Sequence, residues 1–97
     1  MKMTGNRFEA DVSPNKKFVD IRDRKLAGIL TLLRLGDIQQ LRDQVDRLIT
    51  TRKGNFAVFA IKLPEKSSRH VITGLNEEDA HELLELLSKL EDTMVPI

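Results

Sequence analysis

Ninety-seven residues, 40% hydrophobic and 32% charged, describe one globular domain: two would leave neither a workable core, and the charge is too balanced for a disordered chain. No run approaches the roughly 20 apolar residues that span a bilayer, and Met1-Lys2-Met3-Thr4-Gly5-Asn6-Arg7 lacks the apolar stretch of a secretory signal. The absence of cysteine excludes disulfides, thiol nucleophiles and thiolate zinc sites, so the expectation is a cytoplasmic α+β domain with no membrane association.

The net charge of +1 conceals a polarity along the chain. Residues 1–62 hold thirteen Lys or Arg against seven Asp or Glu (+6), whereas residues 63–97 hold three against eight (−5). Such a layout favours head-to-tail contact or an acidic partner for the basic part.

From Arg7 to Val12 the residues alternate, with Phe8, Ala10 and Val12 on one side and Arg7, Glu9 and Asp11 on the other. That is the period of a half-buried strand. Ser13-Pro14-Asn15-Lys16 is turn chemistry, since proline fixes φ and asparagine tolerates the left-handed region. Lys17 to Arg22 reads as a return strand with Val19 and Ile21 inward, which completes an N-terminal hairpin over residues 7–22.

Helical spacing follows, predicting a helix pair over residues 24–53. Asp23 serves as N-cap, and Leu26, Ile29, Leu30 and Leu33 recur at i, i+3, i+4 and i+7. Gly36 supplies a left-handed stop. Asp37 opens the second helix with Gln40 as its capping-box partner. Ile38, Leu41, Val45, Leu48 and Ile49 form that helix's apolar face, and Gly54 ends it.

The run Phe56-Ala57-Val58-Phe59-Ala60-Ile61, bounded by Gly54 and Pro64, favours a strand. Arg69 to Thr73 returns as its antiparallel partner, giving a second hairpin over residues 55–73. Asn76 caps a C-terminal helix over residues 77–91, where Glu77, Glu78 and Asp79 complement the positive end of the helix dipole. Ala80, Leu83, Leu84, Leu87 and Leu90 form its stripe, widened by Leu86. The predicted order is ββααββα, two antiparallel hairpins packed with three helices.

Chemistry is thinly supplied. Ser13, Ser67, Ser68 and Ser88 sit in no glycine-flanked elbow, and only His70 and His81 offer an imidazole base. Glu78-Asp79-Ala80-His81 has the Glu-x-x-His spacing of di-metal bundles, but that architecture needs the motif twice. Acids in a first helical turn are explained by the dipole. The five scattered glycines make neither a P-loop nor a dinucleotide fingerprint. No catalytic, metal or cofactor site follows, and the expectation is a non-enzymatic protein.

Two helices around Gly36 also allow a helix-turn-helix reading in which Gln39, Gln40, Arg42 and Arg47 face base edges. The succession of a strand and two helices from Lys17 to Thr51 is loosely similar to the ribbon-helix-helix repressors. In that family a dimeric ribbon enters the DNA major groove. The resemblance is one of topology, covers about a third of the chain, and implies a DNA-binding regulator using residues 17–53. Asp20 on that ribbon and Asp37 at the helix cap depart from what phosphate contact requires.

Surplus apolar surface is the remaining signal. Leu32, Leu35 and Leu86 exceed single-face helices, and a chain this small has little interior to hide them. The leading expectation is therefore a homodimer that contacts another macromolecule, a profile suited to a regulator from a phage or mobile element. Arg22, Arg24, Lys25, Arg42, Arg47, Arg52 and Lys53 are its predicted partner contacts, with the acidic outer face of the last helix as the other candidate. A dimer binding a small ligand or nucleotide between protomers is the further alternative.

Overall fold

The computed structural model describes residues 1–25, 28–51, 59–62, 69–72 and 75–97. It is a small α+β fold with four strands, one helix, a hairpin and a second helix in chain order: β1 (Lys2–Thr4), β2 (Phe8–Val12), β3 (Val19–Asp23), β4 (Gly28–Leu33), α1 (Leu35–Thr51), β5 (Phe59–Lys62), β6 (Arg69–Ile72) and α2 (Glu77–Thr93). The first four strands form one antiparallel sheet in the order β1-β2-β3-β4, and β5 and β6 form a separate antiparallel pair.

The β2–β3 hairpin follows from the alternation. Phe8, Ala10, Val12, Val19 and Ile21 are all buried, and the register pairs Ala10 with Ile21 and Val12 with Val19. In the turn, Lys16 rather than Asn15 takes the left-handed conformation (φ 61°). Asn15 contributes through its side chain, whose Oδ1 accepts from Ser13 Oγ at 2.6 Å and from Lys17 N at 3.1 Å.

The segment after Asp23, expected as the first helix of the 24–53 pair, carries strand β4, so the described residues hold two helices rather than three. The order is accordingly not ββααββα. Gly36 is not a left-handed stop; it lies in the first turn of α1, which begins at Leu35. That start is fixed by Asp37, whose Oδ2 accepts from Arg34 N at 2.9 Å, one half of a capping box. β1 was not expected, and the predicted second hairpin is seen as β5 and β6, its residues 55–58, 63–68 and 73 lying outside the described set.

Both helices cover one face of the four-stranded sheet. Ile38, Leu41 and Val45 of α1 and Ala80, Leu83, Leu86, Leu87 and Leu90 of α2 meet the inward residues of β2, β3 and β4, joined by Leu75 and Met94. Asn76 caps α2 as its sequence predicts, its side chain accepting from Asp79 N at 2.8 Å. The outer face of β2 and β3 is polar, carrying Glu9, Asp11, Asp20 and Arg22.

Candidate functional site

Three features stand out from this frame: a buried ionic cluster where α2 meets the sheet, a groove beside it, and a strained leucine on the opposite edge.

The cluster centres on Arg7, placed by the sequence pattern on a wet strand face and instead buried. Its Nε and Nη2 donate to the two carboxylate oxygens of Asp23, both at 2.9 Å, and its Nη1 donates to Asp79 Oδ2 at 3.0 Å. The Arg7 and Asp23 side chains are only 4% and 7% exposed. The bidentate geometry matches the planar fork of guanidinium, and the cation also stands 5.1 Å from the centre of the Phe8 ring. Hydrogen bonding to Asp23, opposed by burial and reinforced by Asp79, holds the guanidinium above its ordinary pKa. Asp23, expected to cap a helix, therefore ends β3 as a counter-ion.

One turn along α2 from Asp79, the Glu82 carboxylate accepts from Arg7 N at 3.0 Å and from Phe8 N at 2.8 Å. Gly5 makes room for it: a Cβ there would stand 2.8 Å from Glu82 Oε2. Gly5, Arg7, Asp23, Asp79 and Glu82 thus lock the β1–β2 turn, the end of β3 and the first turns of α2 together. The sequence reading gave Asp23 and Asp79 helix-end roles and Arg7 a wet face, and spacing carries no signal for the cluster they form, because the partners lie 16 to 75 residues apart. No buried side-chain nitrogen or oxygen lacks a hydrogen-bond partner among the described residues. The cluster is structural, with its polar groups committed to one another.

Beside it, between β1 and α2, lies a groove of about 510 Å³. Met3, Phe8 and Leu86 supply apolar lining, while Glu82, Glu85, Lys89 and Asp92 supply charge.

The opposite edge of the sheet is β4. Its pairing with β3 shifts register between Val19 and Ile21, so that Asp20 faces two residues, Thr31 and Leu32. This is a β-bulge. Leu32 has φ +54°, a conformation that costs a non-glycine residue roughly 1–2 kcal/mol. Asp20 Oδ1 holds the bulge by accepting from Leu32 N at 2.9 Å. The Leu32 side chain is nevertheless 57% exposed.

The predicted contact residues are dispersed. Arg22 lies on the outer face of the sheet. Arg24, next to the end of β3, pairs with Glu9 at 3.3 Å and also donates to Gly5 O. Lys25 is exposed just beyond. Arg42 and Arg47 are on α1, in the layer on the other side of the sheet, and Arg42 is paired with Glu91 of α2 at 2.8 Å. Hydrogen bonding to Glu91 raises the Arg42 pKa. Arg22 and Arg42 thus share no surface, and Arg52 and Lys53 lie outside the described residues. Of the three leucines, Leu86 belongs to the chain's own core with 8% exposure, Leu35 packs partly against that core, and Leu32 faces solvent.

The two successive helices that both DNA readings need are not found among the described residues, where 19–51 run strand, strand, helix. Among the described residues no three His, Asp or Glu side chains gather to hold a metal ion, and His81 is exposed on α2. Ser68 and the His70 side chain lie outside the described set. No described helix is long and apolar enough to cross a membrane. Comparison with protein-family models, with curated proteins and with solved structures gives no match.

Proposed function

We propose that this chain is a non-enzymatic interaction protein that works as a homodimer, using the bulged edge of β4 as its contact between copies. Leu32 is the observation that supports the reading. A leucine in left-handed backbone carries a conformational cost, and here that cost presents an apolar side chain to solvent on the edge of a sheet. A scattered exposed leucine needs no explanation; one held out by a bulge and a dedicated aspartate does. Burial against a second copy offsets the strain, and a two-fold axis places the same patch on both sides of the contact.

Light scattering across a micromolar concentration series tests the reading. The expected mass is twice that of the chain, falling to that of a single chain for Leu32→Asp, which would bury a charge in the contact. A single-chain mass for the wild type at every concentration contradicts it.

A further inference from the structure

We infer that the groove between β1 and α2 takes an extended segment of a partner polypeptide, an apolar side chain flanked by lysine or arginine, added as a fifth strand along the free edge of β1. The inference rests on the reading above, that the chain acts through protein contacts, and names the chemistry of the partner it engages.

The edge comes first. Met1 and Val12 exchange both backbone hydrogen bonds, at 3.0 and 2.7 Å, and Gly5 N donates to Phe8 O at 2.8 Å. Inward bonding alternates along an antiparallel strand, so Met1, Met3 and Gly5 bond to β2 while Lys2 and Thr4 turn their N–H and C=O groups outward. Because β1 ends the sheet, no strand among the described residues meets those groups. They are a template for strand addition, in which main-chain bonds give affinity and side-chain pockets give specificity.

The groove supplies the pockets. Side chains of an added strand alternate between the outer face and the helix layer. An inward apolar side chain lies over Met3, Phe8 and Leu86. Inward residues two places to either side come beneath α2, whose charged contribution to the lining is Glu82, Glu85 and Asp92 against one cation, Lys89. Glu82 is already committed to backbone N–H groups, which leaves Glu85 and Asp92 to meet the partner's basic side chains. Lys89 does not block this, because its 3.6 Å pairing with Glu85 is between side chains 63% and 72% exposed and such pairs exchange at little cost. The complementarity required is thus apolar at the centre and basic at the flanks.

The test is an NMR titration of the isotope-labelled full chain with an acetylated, amidated peptide in which threonines alternate with lysine, isoleucine and lysine. A control peptide carries glutamate in place of both lysines. The expected result is shifted, exchange-protected amides at Lys2 and Thr4, no binding of the control, and affinity about tenfold lower or worse for Glu85→Gln/Asp92→Asn, the loss of roughly one charge-assisted contact. No response at Lys2 and Thr4 at millimolar peptide overturns the inference, as does equal binding of the acidic control or a response confined to β4. Amides of β1 that shift with protein concentration alone would assign the edge to a second copy and also overturn it. The homodimer reading is judged separately by mass: a Leu32→Asp monomer that still binds the basic peptide separates the two.

Discussion

The two edges of the four-stranded sheet are handled in opposite ways. At the β1 side the chain is tied down: Gly5 admits the Glu82 carboxylate, Arg7 is gripped by Asp23 and Asp79, and the strand itself is three residues long. At the β4 side a six-residue strand is bulged, and Leu32 is held out in strained backbone by Asp20. Short length and bulges both blunt an edge against indiscriminate pairing. They leave different residues exposed, however: a polar template beside an acidic groove at one edge, an apolar side chain at the other. One small sheet thereby presents two chemically distinct edges.

Arg7 gives the sharpest way to break this comparison. Arg7→Ala leaves Asp23 buried without its cation, and losing one partner of a buried pair costs about 3–5 kcal/mol. Urea denaturation should show the midpoint falling accordingly, with light scattering on the still-folded fraction unchanged if β4 carries the contact. Gly5→Ala comes next. The new Cβ pushes Glu82 away from Arg7 N and Phe8 N, and because these two bonds are only part-buried their joint loss costs about 1–3 kcal/mol, below the full penalty for two buried donors. A fall much below that range would mean the Glu82 seat adapts and the β1 side is less constrained than its geometry implies.

The smallest effect is pH-dependent. Hydrogen bonding to Lys2, then to Arg24, holds the Glu9 carboxyl below its ordinary value of 4.5. A carboxylate with a depressed folded-state pKa contributes stability that is present above its unfolded value and lost as pH falls through the folded one. Stability should therefore decline below about pH 4.5, and more shallowly in Lys2→Gln/Arg24→Gln. Coincident acid-unfolding curves for the two proteins would show that the outer face makes no such contribution.

The same contrast explains what was legible in the sequence. β2 and β3 keep strict alternation, so Phe8, Ala10, Val12, Val19 and Ile21 announced the hairpin and its buried face. α1 and α2 kept their 3.6-residue stripes, with Leu86 buried and Leu84 only partly so. β4 was misread because its bulge changes the period. With Thr31 and Leu32 both opposite Asp20, the buried residues are Leu30 and Leu33, three apart, which imitates helical spacing. A continuous apolar run cannot be assigned from periodicity alone, and the β-branched Ile29 and Thr31 together with Gly28 were the available hints of a strand. The ionic cluster was invisible for another reason. An Arg7 that pairs with Asp23 and Asp79 across the fold resembles any exposed arginine beside a strand, because nothing local marks its burial. Spacing was equally silent on where the basic residues stand: Arg24 lies beside the end of β3 and Arg42 on α1, each paired with an acid.

Leu32→Gly tests the central claim most directly, because its two consequences have opposite signs. Glycine adopts φ +54° without the steric cost of roughly 1–2 kcal/mol that leucine bears. Its own entropic cost of about 0.5–1 kcal/mol offsets part of this, so equilibrium denaturation of the monomeric state should show a net gain of up to about 1 kcal/mol. The same substitution removes the apolar contact, so light scattering should show the dimer lost. A variant that is more stable yet monomeric is the predicted result; one that dimerises as the wild type does, or that loses stability as a monomer, contradicts the assignment of Leu32 to association.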